Sequence, residues 1–201
     1  PVIAAALSGG TETAALLIEA GADVSAMNDD GTTALMVAAK NGYYDTAEIL
    51  IAAGADMDCE STRETQEKVG FGDSIELLRR VANHVWFVSD KMELLDFTHE
   101  IKGFQDETIF ITPLVFSISE GHSDIAELLI TSGASVDWQY FGGATVLMYA
   151  AYHGDPYVVE LLVHAGCDIQ AKDMMDLNAM WYAIDGNSPA AAKKLAELGI
   201  N

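Results

Sequence analysis

GTTALMVAAKNGYYDTAEILIAAGADMDC, residues 31–59, has the pattern of two short helices joined by a turn. The two threonines before residue 34 can cap a helix through residues 34–39, and Gly42 lies in a strong stop signal. A second helix follows, with apolar residues at i, i+3 and i+4. Gly54 ends it, which predicts the left-handed conformation that glycine adopts at low cost. One such helix pair cannot bury its own apolar face, so neighbouring pairs must stack.

The same unit recurs along the chain, as a set of glycines that each follow an apolar pair shows. These glycines are 33 residues apart, except for one step of 79 residues. They are Gly21, Gly54, Gly133, Gly166 and Gly199. A period of this length indicates a stacked repeat architecture, and such chains bind other molecules far more often than they convert them.

The repeat resembles the 33-residue ankyrin repeat, whose pattern has a Thr-Pro-Leu helix start, a Gly-His turn, a Leu-Leu run and a closing Gly-Ala-Asp. Residues 107–139 match it well, with Thr112-Pro113-Leu114, Gly121-His122 and Gly133-Ala134. The resemblance implies an all-α solenoid of stacked helix–turn–helix pairs with short β-hairpin loops. We expect repeats 1 and 2 in residues 1–59 and repeats 3 to 5, the last truncated, in residues 107–201.

Two departures from the family pattern have structural consequences. The family's His after the leucine is replaced in every repeat, which implies a more apolar first helix; the residues are Ile3, Met36, Val115, Met148 and Trp181. The expected turn glycine is Asp176 in the last repeat and Phe110 in the third.

Residues 60–106 interrupt the period, and two interpretations are open. The 79-residue step is one period plus 46 residues. Residues 89–95 resemble the helix start at 123–129, so we favour a polar loop followed by a degenerate helical pair, at about 74–88 and 90–98. The alternative is a plain insertion that bulges from the stack.

The charge of the chain restricts its partners. It has 31 acidic and 10 basic residues, a net charge of −21, and no Lys or Arg in residues 1–39 or 103–171. Nucleic acid and anionic lipid need clustered cations, so neither is an expected partner. No apolar run is long enough to span a bilayer. A protein with a basic or apolar surface is the expected partner, and salt should weaken its attraction.

The family resemblance implies that a partner contacts the concave side, formed by the hairpin tips and the exposed positions of the first helices. In the early repeats this register includes Thr32, Lys40 and Asn41. Aromatic and methionine side chains, which are typical of binding hot spots, concentrate in the late hairpins. The predicted partner-binding residues are Trp138, Tyr140, Phe141, Tyr152, His153, Met174 and Met175, with Asp29 and Asp30 in an early hairpin. The alternative is that the aromatic residues pack between adjacent hairpins.

We expect no metal, cofactor or catalytic site. The five histidines form no close ligand pair. Cys59 and Cys167 have no metal or redox spacing, which favours a reducing, intracellular setting in a compartment that the sequence does not identify.

The sequence therefore predicts a protein–protein interaction module or a scaffold subunit of a larger assembly rather than an enzyme. Two alternatives are a regulatory domain of a larger enzyme or channel, and an acidic inhibitor or antitoxin that occupies a basic groove. Because the chain starts at Pro1 and both ends fall within a repeat, we expect further protein or a partner to cover the ends.

Overall fold

The computed structural model describes residues 1–29, 31–60 and 111–200, all within one compact unit. Five helix pairs form the five predicted repeats. The helices are α1 Val2–Leu7, α2 Thr11–Glu19, α3 Ala34–Asn41, α4 Tyr44–Ala52, α5 Pro113–Ser119, α6 Ser123–Ser132, α7 Val146–His153, α8 Pro156–His164, α9 Ala179–Asp185 and α10 Pro189–Glu197. The expected helices at 74–88 and 90–98 lie outside the described residues.

The helices form two layers. The first-helix layer is α1, α3, α5, α7 and α9; the second-helix layer is α2, α4, α6, α8 and α10, and each helix contacts its neighbours within its layer. The core lies between the layers and is filled by fully buried leucines at one position of each helix type. They are Leu35, Leu50, Leu114, Leu129, Leu147, Leu162 and Leu195. Burying each of them contributes about 1.5–3 kcal/mol relative to exposure.

The first helices approach closely because one position in each carries a small side chain. Ala5, Ala38, Ser117, Ala150 and Ala183 occupy this position, and all are buried. The first helices of repeats 4 and 5 also approach closely, since a Cβ on Gly186 would overlap the backbone carbonyl of Tyr152.

The helix starts explain how the chain tolerates the loss of the family's histidine. Thr33 caps α3 by accepting a hydrogen bond from the Met36 backbone N–H at 3.2 Å, and the Met36 sulfur accepts one from the Thr33 N–H at 3.5 Å. Thr145 and Met148 repeat the arrangement, with the sulfur 3.3 Å from the Thr145 nitrogen. The thioether therefore completes the reciprocal capping box that a polar residue usually completes.

The hairpins before the first helices are short, and in the described residues their pairing amounts to isolated bridges rather than strands. One antiparallel bridge joins Gln139 and Thr145. Asn28 and Asp173 support their turns with side-chain oxygens, which accept from the backbone N–H groups of Thr32 and Leu177. Asp176 adopts φ +62°, the left-handed conformation of the turn glycine that the sequence pattern expects there.

Repeats 2 and 3 pack directly against each other, despite the interruption between them. Helix α3 contacts α5, and α4 contacts α6. Along one edge, a side-chain oxygen of each repeat accepts from a backbone N–H of the next. The three bonds are Ser25–Asp56 at 3.1 Å, Asp58–Ser135 at 2.8 Å and Asp137–Asp168 at 3.0 Å.

These bonds give the number of extra residues in the chain between repeats 2 and 3. The Asp58–Ser135 bond joins residues 77 apart, against 31 for the other two, an excess of 46. The glycine spacing shows the same excess, and within the described residues repeat 3 packs directly on repeat 2. We therefore carry the insertion alternative forward in place of the favoured stacked repeat; residues 61–110 themselves lie outside the described part.

Candidate functional site

A cavity of about 320 Å³ opens on the first-helix layer of repeats 1 to 3. Its apolar wall comes from three consecutive first helices, and its polar wall from α3 and the hairpin before it. The lining residues are Ile3, Leu7, Met36, Val37 and Phe116, with Asn28, Thr32, Lys40 and Asn41. Met36 is fully buried, whereas 62% of the Leu7 side chain is exposed. We call this the repeat 1–3 cavity; its volume lies at the lower end of the range of ligand pockets and is large enough for one large side chain of a partner.

The far end of α3 is held in place by repeat 3. His122 Nε2 donates a hydrogen bond to the Lys40 carbonyl oxygen at 3.2 Å, and the imidazole lies against Gly42, where a Cβ would be 2.6 Å from its ring. Asn41 Nδ2 donates to the Val37 carbonyl at 2.9 Å. The backbone that presents Lys40 is therefore fixed by contacts on both sides.

Lys40 differs from the other lysines in the described part of the chain. Lys172 pairs with Asp176 at 2.9 Å, Lys193 with Glu197 at 3.8 Å and Lys194 with Glu160 at 3.1 Å. No carboxylate of the described residues pairs with Lys40. Its ammonium is therefore the one Lys or Arg cation of these ranges that is available for a partner's carboxylate.

Tyr140 is a core residue, which corrects the prediction that it contacts a partner. Only 6% of it is exposed, its hydroxyl hydrogen-bonds the Thr112 hydroxyl at 2.9 Å, and its ring packs edge-on against Tyr149. Burial raises the pKa of Tyr140 well above its usual range, and the Thr112 bond opposes the rise. The aromatic side chain thus packs between hairpins, as the alternative interpretation allowed.

The other late-hairpin residues remain at the surface to different extents. Met174 is 60% exposed, while Trp138 and Met175 are half-buried. The Met174 N–H donates to the Gly142 carbonyl at 2.7 Å, and its sulfur would lie 3.2 Å from a Cβ on Gly142. The hairpins of repeats 4 and 5 therefore hold each other, and among their described side chains Met174 is the large apolar one that is exposed.

The remaining predicted residues are spread over the first-helix layer. Tyr152 is half-buried beside the exposed His153, with their rings edge-on at 5.4 Å. Asp29 is exposed in the hairpin before α3. Asp30 and the side chain of Phe141 lie outside the described residues. The described members of the predicted set thus lie in two places, Asp29 in the early hairpin and the others in repeats 3 to 5.

The sequence prediction missed the repeat 1–3 cavity as a site. Family register pointed to Thr32, Lys40 and Asn41, but the aromatic density of the late hairpins outweighed it. The usable signal was the isolation of Lys40: no Lys or Arg precedes it in the chain, and none follows it in repeats 2 and 3 outside the interruption.

Asp173 and Tyr182 support the last hairpin. The Tyr182 hydroxyl donates to Asp173 Oδ2 at 2.9 Å, while Asp173 Oδ1 accepts from the Met175 N–H at 2.8 Å. Burial and the Asp173 charge both raise the pKa of Tyr182. These groups support the hairpin, and their arrangement is that of a structural turn rather than of an acid–base pair.

The residues that the structure describes contain few groups suited to catalysis or metal binding. Within those ranges, no group of three or more His, Cys, Asp or Glu side chains could hold a metal ion. Both cysteines are buried, and burial, followed by the charges of Asp137 and Asp168, raises the pKa of Cys167 to about 11. None of the helices described has the length and apolar character needed to cross a bilayer.

Comparison with known proteins gives a family and several partial relatives. A model of ankyrin repeats, in three copies, matches residues 1–61 and 87–173. The probable E3 ubiquitin-protein ligase XBOS33 of Oryza sativa subsp. japonica is 38% identical over 64 residues, 32% of this chain and 12% of that protein. The E3 ubiquitin-protein ligase XBAT33 of Arabidopsis thaliana is 32% identical over 106 residues, 53% of this chain and 20% of that protein.

A further relative is not named as a ubiquitin ligase. Mouse ankyrin repeat and SAM domain-containing protein 6 is 36% identical over 62 residues, 30% of this chain and 7% of that protein. The chain therefore spans a fifth or less of the length of these relatives. The family model, in contrast, matches well over half of the chain, and the chain belongs to the ankyrin repeat family.

Proposed function

We propose that this chain is a protein-recognition module that binds a partner through its first-helix layer and hairpins. The observation that carries the proposal is the repeat 1–3 cavity, where apolar side chains of three repeats and an available lysine converge. Ankyrin repeats are protein-binding units, and the stack supplies a preformed surface that loses little conformational entropy when a partner binds. We propose an intracellular setting, which the two free cysteines support.

The partner surface we propose is apolar with a basic rim. Leu7 and Met174 expose large apolar side chains on this layer, and the net charge of −21 attracts basic proteins. Leu7 and Met174 are the proposed anchors in place of Tyr140, and Trp138, Tyr152, His153, Met175 and Asp29 stay as proposed flanking contacts.

A narrower proposal is that the module selects the protein on which a longer polypeptide acts. The plant relatives are named E3 ubiquitin-protein ligases, and the present chain corresponds to only a small share of each. We propose that these 201 residues contribute recognition and that any catalytic step belongs to a separate region or partner.

The test is cross-linking of the full chain to its cellular partners, followed by mass spectrometry. Leu7→Glu and Met174→Glu should each reduce the cross-linked partner, because each places a charge within the proposed contact. Leu16→Glu is the matched control, since Leu16 is 66% exposed but lies on the second-helix layer. Equal loss with Leu16→Glu, or no loss with the other two variants, would refute recognition by the first-helix layer.

A further inference from the structure

The repeat 1–3 cavity combines an apolar wall with a single cation in a strongly acidic protein. Leu7 and Ile3 supply exposed apolar surface, the buried Met36 and Phe116 complete the lining, and Lys40 lies at the same opening. Lys40 lies in the last turn of α3, where a cation also favours the helix dipole. The dipole explains a basic residue at this helix end, but it does not explain why no carboxylate of the described residues pairs with it.

Pairing is the rule elsewhere in the described chain. Each of the three remaining lysines has a carboxylate within 4 Å, one of them in a separate repeat. With 31 acidic residues in the sequence, an ammonium would readily acquire a carboxylate neighbour. The free ammonium of Lys40 is therefore a specific feature of the cavity, and its electrostatic complement is a carboxylate.

We propose that the repeat 1–3 cavity receives a segment of the partner protein that carries one large apolar side chain beside one carboxylate, with Lys40 binding the carboxylate. This inference rests on the proposed recognition function and specifies the partner. The apolar side chain enters against Leu7 and Ile3, and the carboxylate accepts from Lys40 Nζ. The rest of the segment is neutral or basic, because the chain's net charge of −21 repels further acids.

The two contacts make the recognition selective. The apolar contact alone would accept many hydrophobic segments, whereas leaving the lysine or the carboxylate desolvated and unpaired penalises an incorrect segment. Lys40 thus recognises a single acidic residue at one position of an otherwise basic segment. The lysine and this carboxylate also determine the register in which the segment binds.

The experiment is selection of displayed random heptapeptides on the full-length protein. We expect enriched peptides with Asp or Glu at a fixed spacing from a large apolar residue. The tightest peptide and its Asp→Asn or Glu→Gln analogue are then titrated by fluorescence anisotropy. Loss of the carboxylate should raise Kd about tenfold, as expected for one hydrogen bond between charged groups.

Variants assign that preference to Lys40. Lys40→Met should bind the acidic peptide and its amide analogue equally, while Lys40→Arg should retain the preference for the acid. Lys172→Met removes an exposed, ion-paired lysine and should behave as the parent protein.

Three results would overturn the inference: acidic preference that persists in Lys40→Met, enriched peptides without an acidic residue, or no enrichment at all. Enriched peptides without an acid that compete with the cross-linked partner would leave the proposed recognition function standing. A partner whose cross-linking is insensitive to Leu7→Glu and Met174→Glu would instead remove the proposed function itself.

Discussion

The junction between repeats 2 and 3 carries 46 extra residues, and the junction between repeats 4 and 5 carries none. At the first, His122 donates to the Lys40 carbonyl and lies against Gly42. At the second, Ser188 donates to the Tyr152 carbonyl at 3.0 Å and lies against Gly154.

These residues occupy the same repeat positions, and the paired residues are 82 and 36 apart, again an excess of 46. The comparison teaches that side chains at fixed positions determine how neighbouring repeats pack, whatever length of chain connects them. That behaviour is expected of an architecture in which each repeat interacts with its nearest neighbours.

The largest effect is expected where the uninterrupted junction is tightest. Gly186→Ala should lower the free energy of unfolding by about 3 kcal/mol, because the added Cβ overlaps the Tyr152 carbonyl and forces the first helices apart. Gly54→Ala is the control: its φ is +84° but its surroundings are open, so the loss should be about 1 kcal/mol. Urea denaturation measures both, and equal losses would refute the tight junction.

Removing residues 61–106 restores the 33-residue spacing between Gly54 and Gly133 and should leave a cooperative stack. The deletion makes the connection between repeats 2 and 3 about tenfold shorter. Because each doubling of loop length costs about 0.6 kcal/mol, this shortening should raise the free energy of unfolding by about 2 kcal/mol. The control deletes residues 140–172, a complete repeat, and should lower stability. Separate unfolding of repeats 1 and 2 in the first variant would contradict direct stacking.

The edge bonds allow a matched test of the two kinds of junction. Asp58→Ala removes the bond across the interruption, and Asp137→Ala removes the equivalent bond between repeats 3 and 4. Each should cost about 1 kcal/mol in thermal or chemical unfolding, as typical for a hydrogen bond. An effect of Asp137→Ala without any effect of Asp58→Ala would indicate that the interrupted junction is open.

The smallest effect concerns the cysteines, one at each kind of junction. Cys59 ends repeat 2, where its thiol donates to the Asp56 carbonyl, and Cys167 lies in the uninterrupted half. Burial raises the pKa of both thiols, that of Cys167 to about 11. Alkylation by iodoacetamide at pH 8 should therefore be slow at both sites. Rapid modification of Cys59 alone would show that the interruption exposes its repeat.

The same pKa shift predicts alkaline destabilisation. A thiol whose folded pKa is raised contributes stability that is complete below its unfolded pKa and is lost as pH rises toward the folded value. For Cys167 this window runs from about 9 to about 11. Cys167→Ala should flatten the decline in unfolding free energy across that window.

The repeat units were predictable from sequence because their signals are local. Gly42 and Gly54 have the expected positive φ angles, and Thr33 is the predicted helix cap. The placement of Tyr140 was not predictable, since its burial depends on Thr112, 28 residues earlier in the chain. From sequence, Tyr140 is expected to be exposed, because it lies in a hairpin just before Gly142 and Gly143. Its burial becomes evident only when the neighbouring repeat is in place.

The sequence of the interruption leaves both interpretations open for a related reason. The likeness of residues 89–95 to a helix start is real enough that the family model also matches from residue 87. A repeat-like sequence, however, carries no information on whether its unit occupies a place in the stack. The direct contact of α3 with α5 supports the insertion interpretation, and this contact depends on residues far apart in sequence.

The most direct test of the central claim compares distances between spin labels on the second-helix layer. Glu12, Asp45, Asp124, Tyr157 and Ala190 occupy one repeat position, and all are exposed. Labels at 45 and 124 span the interruption, labels at 12 and 45 mark adjacent repeats, and labels at 124 and 190 mark repeats two apart. Direct stacking predicts that dipolar broadening of the 45–124 pair equals that of the 12–45 pair; broadening as weak as that of the 124–190 pair would contradict it.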